Sequence, residues 1–313
     1  VAKITAVADA SANTEASQLP VAADYAALGL DLGHSAAAAD PDGSGAALLG
    51  SAIDGMALSR VDTLDKLQAL LDVVNKLMDS AARLPGAAAP GAADLQLLGV
   101  DISSRNPAQQ GAILAAIGTS GTDGSQIKSL AAISALTQKA VDALAKISAY
   151  AQDNTGATLG VPTADDYTAM GVYGVTGSSV SAINAALATT VVDGVRASTQ
   201  PLVQAIASAY LKILAAADGT RATPDPIGSA AVPTEAELES IGVGVSAATN
   251  GHTISLLATA LDALNRDQVA TPARIDVVSA SAGKMIAAAG NATAAARLSL
   301  DDFSNLGVQG LDA

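Results

Sequence analysis

One short phrase recurs five times and limits what this chain can fold into more than any other feature. Its fullest form is Val-Pro-Thr-Ala-Asp-Asp-Tyr-Thr-Ala-Met-Gly-Val at residues 161–172. Shorter variants are Asp-Tyr-Ala-Ala-Leu-Gly at 24–29, Asp-Leu-Gln-Leu-Leu-Gly at 94–99, Glu-Leu-Glu-Ser-Ile-Gly at 237–242 and Asp-Phe-Ser-Asn-Leu-Gly at 302–307. The closing glycines, Gly29, Gly99, Gly171, Gly242 and Gly307, stand 70, 72, 71 and 65 residues apart. A fixed period of this kind marks a tandem array, in which one supersecondary unit buries its apolar face against its neighbours.

The residues of the phrase have local physical roles. Thr163, Thr234 and Ser299 can cap a helix, and Asp166, Glu237 and Asp302, three residues later, complete a capping box. Tyr25, Leu95, Tyr167, Leu238 and Phe303 lie about one helical turn before Leu28, Leu98, Met170, Ile241 and Leu306, so each pair shares a face. The glycine then stops the helix, because it takes the left-handed conformation that a Cβ disfavours. Leu30, Val100, Val172, Val243 and Val308 follow, placed for the apolar contact that closes such a cap. All the signature residues are thereby assigned to folding.

After each phrase the periodicity predicts two further helices, so the expected fold is all-α, a tandem array of about 70-residue three-helix modules forming an elongated rod. The modules run over 19–89, 90–160, 161–231 and 232–296. Residues 1–18 read as the third helix of a preceding repeat, and 297–313 as the first helix of a following one. In the first module Leu64, Leu67, Leu71, Val74 and Met78 alternate steps of three and four, the spacing of one apolar stripe. Equivalent stripes contain Leu130, Ile133, Val141, Leu144 and Ile147, then Leu202, Val203, Ile206, Tyr210, Ile213 and Leu214, then Ile275, Val278, Met285 and Ile286. Pro201 and Pro272 fall in first turns, where a missing N–H costs nothing. Half of the residues are apolar, but with one Phe, five Tyr and no Trp, much of that content is alanine, which favours helix and buries little area. Proline-rich connectors such as 84–90 and 223–228 stiffen the links between modules.

Candidates for chemistry are few. The net charge of −14 argues against nucleic acid or an anionic membrane surface as partner. No apolar run reaches 18 residues, so no membrane insertion is expected, and no cysteine is present for a disulfide, a thiolate nucleophile or a zinc site. Asp40, Asp42 and Ser44 resemble the start of a calcium loop, with Gly45 at the sixth position. Ser51, however, stands where the bidentate glutamate belongs, and an acidic turn is the expected reading, with calcium as the one cofactor candidate. His34 and His252 are single in their modules, whereas a metal site needs several converging ligands. Residues 118–125, Gly-Thr-Ser-Gly-Thr-Asp-Gly-Ser, lack the Gly-Lys-Ser/Thr ending of a phosphate loop and read as a connector. Asn291-Ala292-Thr293 fits a glycosylation sequon, too common a pattern to carry weight. Lys3, Lys76, Lys146, Lys212 and Lys284 recur at the array period, and the expectation is that each complements the negative end of a third helix. With no nucleophile, acid–base pair or metal set recurring, the chain is not expected to be an enzyme, and it has no catalytic residues to assign.

Three features together carry a family resemblance: the Pro-Thr-led phrase ending Met-Gly-Val, the run Asn184-Ala185-Ala186-Leu187, and Lys-Ile-Leu-Ala-Ala-Ala-Asp-Gly at 212–219. They resemble the alanine-rich helical tandem repeats of giant bacterial surface adhesins, the type I-secreted large repetitive proteins of Gram-negative biofilm formers. The resemblance implies an extracellular or cell-surface location and a role as extender, stalk or filament-forming segment, with neighbouring repeats of the same polypeptide as partners. It supplies no functional residues. Two other readings stay open at the level of sequence: a self-assembling extracellular filament or sheath, and repeated protein- or glycan-binding three-helix modules.

Overall fold

Where the sequence alternates apolar steps of three and four, the chain is helical throughout, and no strand occurs among the described residues of the computed structural model. Those residues are 2–12, 14–30, 32, 43–121, 125–217, 233–245, 250–289 and 297–310. They form fourteen α-helices. After α1 (Ala2–Val7), short, medium and long helices follow one another four times. The first set is α2 (Ala22–Ala26), α3 (Ser44–Asp54) and α4 (Leu64–Ala81), and the second is α5 (Ala92–Leu98), α6 (Pro107–Ile117) and α7 (Leu130–Asp153). The third is α8 (Ala164–Ala169), α9 (Val180–Leu187) and α10 (Gln200–Ala216), and the fourth is α11 (Glu235–Ser240), α12 (Asn250–Ala263) and α13 (Pro272–Ala288). A final short helix, α14 (Leu300–Asn305), carries the fifth phrase.

The chain divides into two compact units, one comprising Val1–Leu144 with Asp165–Tyr173, the other Ala145–Ala164 with Gly174–Ala313. In the first, one continuous core runs from Ile4 to Val141. There α3 packs on α1 and α4, and α4 packs on α5 and α6. Leu48, Leu49 and Ile53 of α3 meet a wide buried face of α4 that holds Leu67, Leu70, Leu71, Val74 and Leu77. Leu64 is a correction to the expected stripe: as the first residue of α4, beside the Thr63 cap, it is 54% exposed, and the buried stripe starts one turn later. Leu202, in the first turn of α10, is exposed for the same reason of position.

In the second unit α10 packs on α9, α11 and α12, and α13 on α9, α12 and α14. The buried face of α10 carries Val203, Ile206, Tyr210, Ile213 and Leu214, and the Tyr210 hydroxyl donates to the Val269 carbonyl at 2.8 Å. Small buried residues (Ala207, Ala209, Ala282, Ser279) let helix backbones approach closely, so the alanine content shortens the spacing between helices while adding little buried area of its own. Asn184 is buried on α9 and donates to the Pro162 carbonyl at 2.8 Å, which satisfies that buried acceptor.

Candidate functional site: the repeated cap and its lysine

All five phrases close in the same way. The N–H of the residue after each glycine reaches back five residues: Leu30 to Tyr25 O (3.2 Å), Val100 to Leu95 O (2.9 Å), Val172 to Tyr167 O (2.9 Å), Val243 to Leu238 O (2.9 Å) and Val308 to Phe303 O (3.1 Å). Each glycine N–H reaches back three residues at 2.9 to 3.1 Å. This pair of bonds is the Schellman motif, and it requires the positive φ of 73° to 100° found at Gly29, Gly99, Gly171, Gly242 and Gly307.

The starts of the short helices are less uniform. Thr234 with Glu237 and Ser299 with Asp302 form full capping boxes: each hydroxyl accepts from the N–H three residues on (3.2 and 3.3 Å), and each carboxylate accepts from the cap N–H (2.8 and 2.9 Å). Val21 and Gly91 have no side-chain oxygen to offer. There only the returning half of the box exists, from the Val21 N–H to Asp24 (2.9 Å) and from the Gly91 N–H to Asp94 (2.7 Å).

The same carboxylate has a second partner, from the helix before it. Lys3 donates to Asp24 at 3.1 Å, Lys76 to Asp94 at 2.7 Å and Lys284 to Asp302 at 2.7 Å, and Lys212 pairs with Glu237. The partners lie 21, 18, 18 and 25 residues apart in sequence. Lys146 and Asp166 occupy the corresponding sequence positions, one in each of the two units. This corrects the expected role of the lysines. The last turns of α4, α10 and α13 hold no basic residue, so these cations do not complement a helix end; they tie a third helix to the short helix that follows it.

Electrostatics fix the charge state of the tie. The Lys284 ammonium and the Ser299 N–H hold the Asp302 carboxyl at about 2, against the opposing push of its burial. For Asp94 and Glu237 burial pushes upward, but the lysine and the cap N–H outweigh it and keep both below the ordinary carboxylate range. Asp24 is lowered by the Val21 N–H and by Lys3. Carboxylates held ionised and occupied by two donors anchor structure and take no proton near neutrality.

Close packing adds a further constraint at three of the five caps. A Cβ on Gly171 would lie 2.4 Å from the Ala115 backbone carbon and 2.6 Å from its oxygen, on α6. On Gly242 it would lie 2.8 Å from Thr189 Oγ1, and on Gly307 2.9 Å from the Ala263 Cβ. Gly29 has nothing within 4 Å. Tyr25, Leu95, Tyr167 and Leu238 are fully buried, as the shared face predicts, whereas Phe303 is only half-buried. The Tyr25 hydroxyl is buried without a hydrogen-bond partner, and that burial raises its pKa.

The remaining candidates do not converge. Asp40, Asp42, His34, the Asn291 sequon and residues 122–124 lie outside the described residues. Ser44 is buried as the first residue of α3, and His252 is exposed on α12. Among the described residues no three His, Asp or Glu side chains gather as metal ligands, and no helix is long and apolar enough to cross a membrane. A groove of about 540 Å³ lies between Gly244 and α13, but its polar groups are already engaged: Asp276 with the Gly244 N–H (2.8 Å), Ser279 with the Gly244 carbonyl (2.8 Å), and Lys284 with Asp302. No known protein family, curated protein or solved structure matches the chain.

Proposed function

We propose that this chain is a structural spacer: tandem three-helix modules of about 70 residues that serve as an extender or stalk segment of an extracellular bacterial adhesin. The observation that carries the reading is the lysine–carboxylate tie, made four times with the same chemistry, each time joining one repeat to the opening helix of the next. What recurs is therefore the means of joining copies, as a length-generating array requires, because such arrays draw stability from nearest-neighbour interfaces. The extracellular placement rests on the resemblance of the Ala-rich repeat to adhesin stalks. Small-angle scattering of the 313-residue chain tests the spacer. A compact globule of this length has a radius of gyration of about 20 Å. The rod requires a clearly larger value with a cross-section of bundle width, and a result near the compact figure would sink it.

A further inference from the structure

The tie at Lys76 and Asp94 joins positions that 18 residues of chain separate. The connector between the two helices, residues 82–91, would span about 35 Å fully extended. The side-chain tips nevertheless meet at 2.7 Å. That connector has Arg83, a non-glycine residue at φ 52°, just past the Ala82 cap of α4, and includes Pro85, Gly86 and Pro90. The seven-residue helix α5 buries Leu95 and Leu98, whereas the 18 residues of α4 bury nine side chains. Local opening follows the amount of buried contact that must be lost, so α5 is the piece that leaves first. Load passing from α4 to α5 runs through the tie and the apolar seat of α5, and the connector carries none until they give way.

We propose that α5 is a latch on α4, and that the connector over 82–91 is stored length, released when the Lys76–Asp94 tie and the seat of Leu95 and Leu98 let go. The purpose of the device rests on the spacer reading; its mechanics do not. The test is single-molecule extension of the full chain held at its two termini. A short step of up to about 35 Å should precede the longer steps of whole-repeat unfolding. With Lys76→Gln the short step should come at lower force, the latch opening about two- to five-fold faster at fixed force, as loss of a part-exposed ion pair predicts. Lys76→Arg should restore it. Helix content by circular dichroism checks that both variants fold. Opening without a short precursor step, or a short step indifferent to Lys76→Gln, overturns the latch. A compact scattering profile with the short step intact removes the spacer and leaves the latch.

Discussion

Replacing cap glycines by alanine separates the two duties that these glycines perform. At Gly29 the backbone sits at φ 78° with open space around it. Gly29→Ala should cost only the left-handed strain of an L-residue, about 1–2 kcal/mol. At Gly171 the strain is the same, φ 79°, but the new methyl would stand 2.4 and 2.6 Å from the carbonyl carbon and oxygen of Ala115. Those are backbone atoms of α6 and cannot turn aside, so overpacking adds about 1–3 kcal/mol. Native-state hydrogen exchange reads both effects. The amide of Leu30 should open about tenfold more readily in Gly29→Ala, and that of Val172 about a hundredfold or more in Gly171→Ala. Exchange at the end of α6, where the Gly118 N–H bonds to Leu114 O at 3.1 Å, should rise only in the second variant. Ala115→Gly should not rescue Gly171→Ala, because the nearest atoms remain. Ala263→Gly should rescue the clash in Gly307→Ala, because there the obstruction at 2.9 Å is a methyl and the backbone lies at 3.8 Å. Equal costs at Gly29 and Gly171, or rescue by Ala115→Gly, would falsify this account.

Other residues give further expectations. Tyr25→Phe removes a buried hydroxyl that has no partner and should leave stability unchanged or raise it by up to about 1 kcal/mol in urea titration. Asn184→Ala strands the Pro162 carbonyl and should cost about 1–3 kcal/mol, read as faster exchange across α9. The Asp302 carboxyl is lowered from 3.8 to about 2, so its contribution to stability is present above about pH 4 and is lost as pH falls through 2. Carboxyl carbon NMR should show that titration, and Asp302→Asn should abolish the acid sensitivity of the α13–α14 contact. Asp153 accepts from the backbone N–H groups of Thr155, Gly156 and Thr158, so Asp153→Ala should unlock that turn and raise exchange at those three amides.

The phrase was legible in the sequence because its chemistry is local: Thr234 and Glu237 are three residues apart, and a glycine that ends a helix does so within its own last turn. Leu64 and Leu202 misled because periodicity reports the phase of a stripe and not where its helix begins. Gly29 and Gly171 have the same backbone conformation and differ only in what lies across from them, which is a tertiary fact. The lysines were visible as a period, and so were the acids, but each tie crosses 18 to 25 residues of chain that no helical spacing rule spans.

Once the ties are known, the repeat has a different phase in space than in sequence. In sequence the phrase opens a module, yet at four of its five copies the carboxylate is held by a lysine of the preceding helix. The third phrase is placed by packing: Asp165–Tyr173 belongs to the unit of Val1–Leu144, where Gly171 lies against Ala115 of α6. A carboxylate that both starts its own helix and binds the previous one couples two events: the short helix forms where it docks. That coupling suits a helix of five to seven residues, too short to persist alone in water. It follows that Lys76→Gln should loosen α5 before it loosens α4, and exchange that rises first in α4 would show that the short helix stands without its lysine.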